Sequence, residues 1–203
     1  MPERPETRDS KPPFMAGSIL GLRRWRTDTL LRTLTSGASG APWDATGGAT
    51  RAVCDINRDR HHTPPASDCS CGLYAWHAGS RGHWLTNRMA SRSLNSVFGV
   101  VEAWGRIELH PMGFRAEFAR PVAFLSPRWK DESGPGRQER LTYQCRLFEL
   151  AETCEAELID LQTDSLWSWI RNDGRYLSPR AIRRLIIPEY FEKTRPGSNR
   201  KED

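Results

Sequence analysis

Apolar and polar residues alternate with a period of two through most of residues 18–126, and the period lengthens to about 3.6 beyond residue 138. The clearest alternation is Val97 to Leu109, with Val101, Ala103, Gly105, Ile107 and Leu109 on one face and Glu102, Trp104, Arg106 and Glu108 on the other. His110-Pro111-Met112-Gly113 reads as a turn. Phe114, Ala116 and Phe118 then alternate with Arg115, Glu117 and Ala119 on the returning strand of a hairpin, and Pro121 to Leu125 reads as one more short strand. Upstream, Ser18 to Arg26 and Leu30 to Leu34 read as strands around a tight Thr27-Asp28-Thr29 turn. A Gly-rich loop anchored by Trp43 leads to a short strand at Arg51 to Cys54. His61 to Ser70 reads as a Pro-containing knuckle, and Gly72 to Trp76 leads into a segment, ending near Leu94, that is helical in part.

Downstream of the hairpin, Leu147, Leu150, Cys154, Leu158 and Leu161 form one stripe, with Glu149, Glu152, Glu155, Glu157 and Asp160 on other faces. That spacing predicts one helix running to Trp169-Ile170 and ending at Asn172-Asp173-Gly174. Ser178-Pro179 supplies an N-cap and a first-turn proline for a second helix. The pattern predicts an α+β chain with a small antiparallel, barrel-like β domain over 18–126, a linker over 127–137 and a helical hairpin within 138–190. Disordered segments are expected at 1–17 and 191–203.

Composition adds a basic bias that is carried almost entirely by arginine. Net charge is +5 over 203 residues, and only Lys11, Lys130, Lys193 and Lys201 are lysines. Residues 1–126 hold 16 basic and 11 acidic side chains, whereas 127–203 hold 14 of each, so the excess lies in the N-terminal part. Guanidinium groups favour bidentate contact with phosphate or carboxylate. Mean hydropathy is -0.65, and eight tryptophans supply much of the apolar volume. No apolar leader and no run long enough to span a bilayer is found, which predicts a reducing cytoplasmic setting and no membrane partner.

In that setting clustered cysteines signal metal or redox chemistry before disulfides. Three of the five cysteines and two of the five histidines fall between Cys54 and Cys71. Cys54, Cys69 and Cys71 with His62 make the four ligands of a tetrahedral zinc site, and His61 is the alternative fourth. His62 is preferred because it adjoins the rigid Pro64-Pro65 step towards Cys69. Gly72 suits a cramped backbone presenting two thiolates together. Four protein ligands make the metal structural, and the His-x-Glu and Pro-Cys-x-x-Cys elements of zinc deaminases are absent.

The strings CDINRDRHHTPPASDCSCGLYA and GVVEAWGRIELHPMGFRAEFARP resemble a family of uncharacterised actinobacterial proteins. Its pattern is Cys, His-x-x-Pro, Cys-x-Cys-Gly-Ile-Tyr-Ala, Gly-x-Val-x-Leu-Trp-Gly-x-Val and a Gly-aromatic-Arg-Ala hairpin. The matching positions are Cys54, His62, Pro65, Cys69, Cys71, Gly72, Tyr74, Ala75, Gly99, Val101, Trp104, Gly105, Gly113, Phe114, Arg115 and Ala116, with Leu73 and Ala103 as mild departures. The likeness spans about residues 18–125 and leaves out the C-terminal helices. It implies one metal-clipped domain and brings no activity with it.

Arg24, Trp25, Trp104, Arg106, Phe114 and Arg115 together predict a strand surface that stacks bases and pairs phosphates of DNA or RNA. The alternative places Trp25, Trp104 and Phe114 in the core, beside ordinary surface arginines. His77, His83 and His110 read as loop or surface histidines, and Cys145 and Cys154 as small core residues. The resulting expectation is a non-enzymatic, zinc-stabilised binding module for nucleic acid. A protein adaptor docking through 138–190 is the second reading and a metal-dependent enzyme the third. No nucleophile elbow, P-loop or dinucleotide fingerprint is present.

Overall fold

The computed structural model describes residues 17–37, 40–54, 62–78, 94–127 and 136–186. Eight strands and three helices make up these residues. The strands are β1 (Ile19–Arg26), β2 (Leu34–Ser36), β3 (Pro42–Trp43), β4 (Thr50–Arg51), β5 (Leu73–His77), β6 (Ser96–Leu109), β7 (Gly113–Ser126) and β8 (Glu157–Asp160). The helices are α1 (Arg137–Thr153), α2 (Leu166–Asp173) and α3 (Pro179–Ile186). The expected disordered ends, most of the linker, His61, His83 and the helical stretch expected before Leu94 lie wholly or mainly outside the described residues.

The hairpin forms as its alternation predicts, and its two long strands organise the sheet. β6 pairs with β1 from Ser96 to Ala103 and with β7 from Gly99 to Leu109, and β5 pairs with β7 and, at Gly21-Leu22, with β1. The pairings therefore run in a closed circuit, β1–β6–β7–β5–β1. Pro121 to Leu125 continues β7 without a break. Two irregularities shift the side-chain phase, between Val100 and Val101 and between Trp104 and Ile107. The second contains Gly105, whose φ of 79° lies in the left-handed region. Beyond it Trp104 and Phe118 stack outside the main core, so Ala119, not Phe118, takes the inward position.

Three expected elements differ. Leu30-Leu31 belongs to a turn: Leu31 has a φ of 55° and the Asp28 carboxylate accepts from the Arg32 backbone N–H at 2.8 Å. Leu73–His77, read only as a lead into a helical stretch, is itself a strand paired with β7. The long acidic helix is broken after Thr153, where Glu155 takes a φ of 50° and the Ala156 N–H closes the end on the Ala151 carbonyl. Glu157–Asp160 then joins the sheet parallel to β7. Leu158 and Leu161, which extend the helical stripe by spacing alone, thus sit on a strand and in a turn. The downstream stops hold as predicted. Gly174 caps α2 with a φ of 82°, and the Ser178 hydroxyl accepts from Ala181 N–H at the start of α3.

Apolar side chains pack on both faces of the sheet. One cluster joins Trp25, Trp43, Ile107, Phe114 and Phe124 to Tyr143, Leu147 and Leu150 of α1. The other joins Leu20, Leu22, Phe98 and Val100 to Leu166 and Ile170 of α2. The helices therefore share core with the sheet. Cys154 is buried as expected, but Cys145 is exposed, because it lies on the outer face of α1. No described helix is long and apolar enough to cross a membrane.

A polar link ties the C-terminal region to β6. Glu102 is 9% exposed and its carboxylate accepts from Arg120 at 2.9 Å and from Arg175. Burial alone pushes this carboxyl up, but hydrogen bonds from Ser18 and Arg120, with the charges of Arg175 and Arg120, outweigh it and hold it below the usual range. A carboxyl depressed in the folded state contributes stability that is full above its unfolded value of about 4.3 and is lost as pH falls through the folded value. Glu102→Gln is expected to cost about 1–3 kcal/mol at neutral pH and to flatten the acid limb. Urea unfolding at neutral and acidic pH checks this; equal losses at both would remove the linkage.

Candidate functional site

The backbone brings the four sequence-predicted metal ligands together from two directions. β4 and the Ala52 N–H, which donates to the Glu117 carbonyl at 2.7 Å, fix the approach of Cys54 against β7. Cys71 stands just before β5, so the sheet fixes it from the other side. Between them the Cys69 N–H closes a turn on the Ala66 carbonyl. The ligand atoms of Cys54, His62, Cys69 and Cys71 all lie within 4.8 Å of one another. Cys54 Sγ is 3.6 Å from Cys69 Sγ, and His62 Nε2 is 3.1 Å from Cys71 Sγ. Such a set can hold one metal ion. His62 lies in that set, and His61 lies outside the described residues.

Gly72 turns the chain from the cluster into β5. Its φ is 124°, and a Cβ there would come within 3.1 Å of the Arg115 Cβ and 3.2 Å of the Pro65 Cβ. This supports the reading of Gly72 as a requirement of the cramped thiolate pair.

Electrostatics favour a cation. Burial pushes the Cys71 thiol up to about 11, and the neighbouring Cys69 and Cys54 sulfurs add to the effect. The Cys69 thiol is drawn down to about 7; burial opposes this, but hydrogen bonds from the Cys71 backbone and from Cys54, Cys71 and His62 outweigh it. Three sulfurs this close cannot all ionise unaided, and a dication removes their repulsion.

Arg115 is the main correction to the expected binding surface. It is 4% exposed and points under the cluster loop, where its guanidinium donates to the carbonyls of Cys69, Cys71 and Ala66 and to the Glu108 carboxylate. Burial works against its charge, yet the hydrogen bonds and charge of Glu108 prevail and hold it more firmly protonated. It therefore braces the cluster loop against the hairpin and is not available to a ligand's phosphate as a free surface arginine.

Trp25 and Phe114 also leave the expected surface. Both are almost fully buried, and Trp25 meets Trp43 and Phe124 edge-on at 5.5 and 5.7 Å. Trp104 is half-buried, Arg106 is exposed and donates to the Thr63 carbonyl at 3.3 Å, and Arg24 is half-buried with its guanidinium 5.6 Å from the Phe98 ring centre. The six residues do not form one exposed face. His77, expected on the surface, is 1% exposed, with Nε2 2.8 Å from the His110 carbonyl. His110 is the more open of the two and lies 3.3 Å from the Glu108 carboxylate.

A basic, apolar-walled groove nevertheless lies beside the cluster, built largely from other residues. β1 and β5 pair only at Gly21-Leu22 with His77-Trp76; beyond that point β1 turns to β2 while β5 follows β7. The groove occupies about 1470 Å³ and is lined by Arg23, Arg24, Arg51, Tyr74, Trp76 and Met112, with Cys69 and Cys71 at one side. Tyr74 is 48% and Met112 46% exposed, and the neighbouring Val53 is 71% exposed. Of the two acidic lining residues, Glu108 is paired with Arg115 and Asp68 lies beside Cys69 in the chain. Sequence reasoning, which allowed Arg23 as an extension of the predicted surface, missed Arg51, Tyr74 and Met112. Their one available signal was position, since they flank the cysteine cluster or sit at hairpin and strand ends. No family model, curated protein or solved structure matches this chain.

Proposed function

We propose that this protein is a non-enzymatic binding module, stabilised by a zinc ion, whose groove takes a single strand of DNA or RNA. The observation that carries the reading is the joining of arginine and exposed aromatic and apolar groups in one groove beside the Cys/His cluster. Guanidinium groups pair phosphates, and open rings such as Tyr74 stack bases. The groove exceeds the range of about 300–1,000 Å³ typical of small-molecule pockets, which suits a segment of a polymer. Three thiolates and one imidazole match the preferences of zinc, and four protein donors leave no open position on it for water or substrate. The closed strand circuit agrees with a small barrel-like scaffold presenting that groove.

Binding of labelled oligothymidylate and oligouridylate should weaken steeply with added salt. Arg51→Ala is expected to lower the salt slope by about one, and Tyr74→Ala to cost about 1–3 kcal/mol of affinity. Arg51 suits the test because its side chain is 67% exposed and its ion pair with Glu117 is a long one, at 3.7 Å. Fluorescence anisotropy across a salt series checks both, and binding that is absent or indifferent to salt would remove the reading.

The adaptor reading has its own support. Leu141, Cys145 and Phe148 recur at helical spacing on the outside of α1, with Leu141 46% and Phe148 52% exposed. Substitution of these by Asp should leave oligonucleotide binding unchanged if the groove is the binding site.

A further inference from the structure

Arg23 is a buried cation for which the protein supplies no counter-ion among the described residues. It is 7% exposed, and no carboxylate lies within ion-pair distance of it among those residues. Its guanidinium donates to the Tyr74 carbonyl through Nη1 and to the Ser36 hydroxyl through Nη2, and it stands 4.3 Å from the Trp43 ring centre. Those contacts use one hydrogen on each terminal nitrogen out of five N–H donors. Nε has no partner. Burial draws the group down to about 9, which leaves it charged at neutral pH.

Isolated buried charge is costly, and such groups are ordinarily paired. A structural role accounts for part of the arrangement, because Arg23 bridges β5 and β2 at the point where β1 parts from β5. It does not account for the missing anion or for the second hydrogen on each Nη, which the described residues leave unused. Arg23 also lines the groove, so a ligand there can bring it a counter-charge that no described residue supplies within ion-pair distance.

We propose that Arg23 is the anion-recognition point of the groove, taking a phosphate oxygen of the bound strand on N–H donors that the protein leaves unused. The assignment of the anion as a strand phosphate rests on the nucleic-acid reading; the presence of an anion site does not. Arg24 and Arg51 then serve as outer phosphate contacts, while Arg23 gives one phosphate a fixed and largely desolvated position.

The test uses the full metal-loaded chain. The side-chain N–H resonances of Arg23, assigned through its own carbons, are followed during titration with inorganic phosphate and with sodium acetate, each against chloride at matched ionic strength. In parallel, oligothymidylate binding is compared between wild type and Arg23→Lys, which keeps the charge but loses the planar fork. The expected result is a saturable shift with phosphate that exceeds any shift with acetate, and an affinity for oligothymidylate lowered about tenfold in Arg23→Lys. A saturable phosphate shift without oligothymidylate binding leaves the anion site standing and removes the nucleic-acid reading. Salt-sensitive oligothymidylate binding with an unmoved Arg23 resonance overturns the Arg23 assignment and spares that reading. Acetate acting as strongly as phosphate also overturns it. Where Arg23→Lys fails to fold, the wild-type titration decides alone.

Discussion

Stripping zinc from the purified chain with a chelator is expected to lower its melting temperature by about 10 °C, with one zinc per chain recovered beforehand. Metal bound to the folded state alone stabilises it in proportion to its affinity. The cluster joins two stretches of chain that otherwise have few apolar groups to hold them, since Cys54 and His62 are only half-buried. A loss of several kcal/mol from metal release, at about 2–4 °C per kcal/mol for a chain of this size, gives the stated shift. The sheet itself should survive at room temperature, because Trp25, Phe114, Phe124 and Leu147 form a continuous core away from the ions' ligands. Far-UV circular dichroism should therefore change little on chelation while thermal stability falls. Cys71→Ser should reproduce the chelated state even with zinc in excess. Protein that is isolated without metal, or that melts at the same temperature with and without it, would sink the metal assignment.

Arg115→Met carries the second large effect, an expected loss of about 3–5 kcal/mol in stability together with zinc affinity lowered about 10- to 100-fold. Methionine keeps much of the aliphatic volume but strands the Glu108 carboxylate, which is only 15% exposed, and removes one donor from each of the carbonyls of Ala66, Cys69 and Cys71. Two of those carbonyls belong to residues of the Cys/His cluster, so their loosening is expected to lower its affinity for an ion. A second change, Glu108→Gln, should restore part of the stability by removing the stranded charge, yet leave zinc affinity low. Competition with a chromogenic chelator and urea unfolding separate the two quantities. Wild-type zinc affinity in Arg115→Met would show that this guanidinium does not brace the loop. The same variant also separates the earlier surface reading from the present one. A direct phosphate contact would lower oligonucleotide affinity with zinc binding intact, whereas a brace lowers both together.

The chain's local signals carried far where one segment decided the outcome. The β6–β7 hairpin follows from alternation on either side of His110 to Gly113, and the stops at Gly174 and Ser178 from residue types whose backbone or side-chain chemistry suits a helix end. The cluster was legible because metal ligands must be particular residue types, and Cys54, His62, Cys69 and Cys71 were close in sequence as well as in space. The α1 boundary was not. Leu158 and Leu161 continue the stripe of Leu147, Leu150 and Cys154 at helical spacing, but pairing with β7 offers Glu157–Asp160 a ladder of backbone hydrogen bonds that periodicity does not register.

The amino-acid order alone determined the hairpin, the ligand set and the helix stops, because each depends on neighbours a few residues away. Tertiary structure decided which strand residues face a ligand. Apolar packing on both sides of this sheet leaves alternation without a label for inside and outside, so Trp25 and Phe114 were drawn into the core, Arg115 was buried among carbonyls and Arg23 between Tyr74, Ser36 and the Trp43 ring. The groove arose only where β1 and β5 part, a separation set by contacts far apart in the chain.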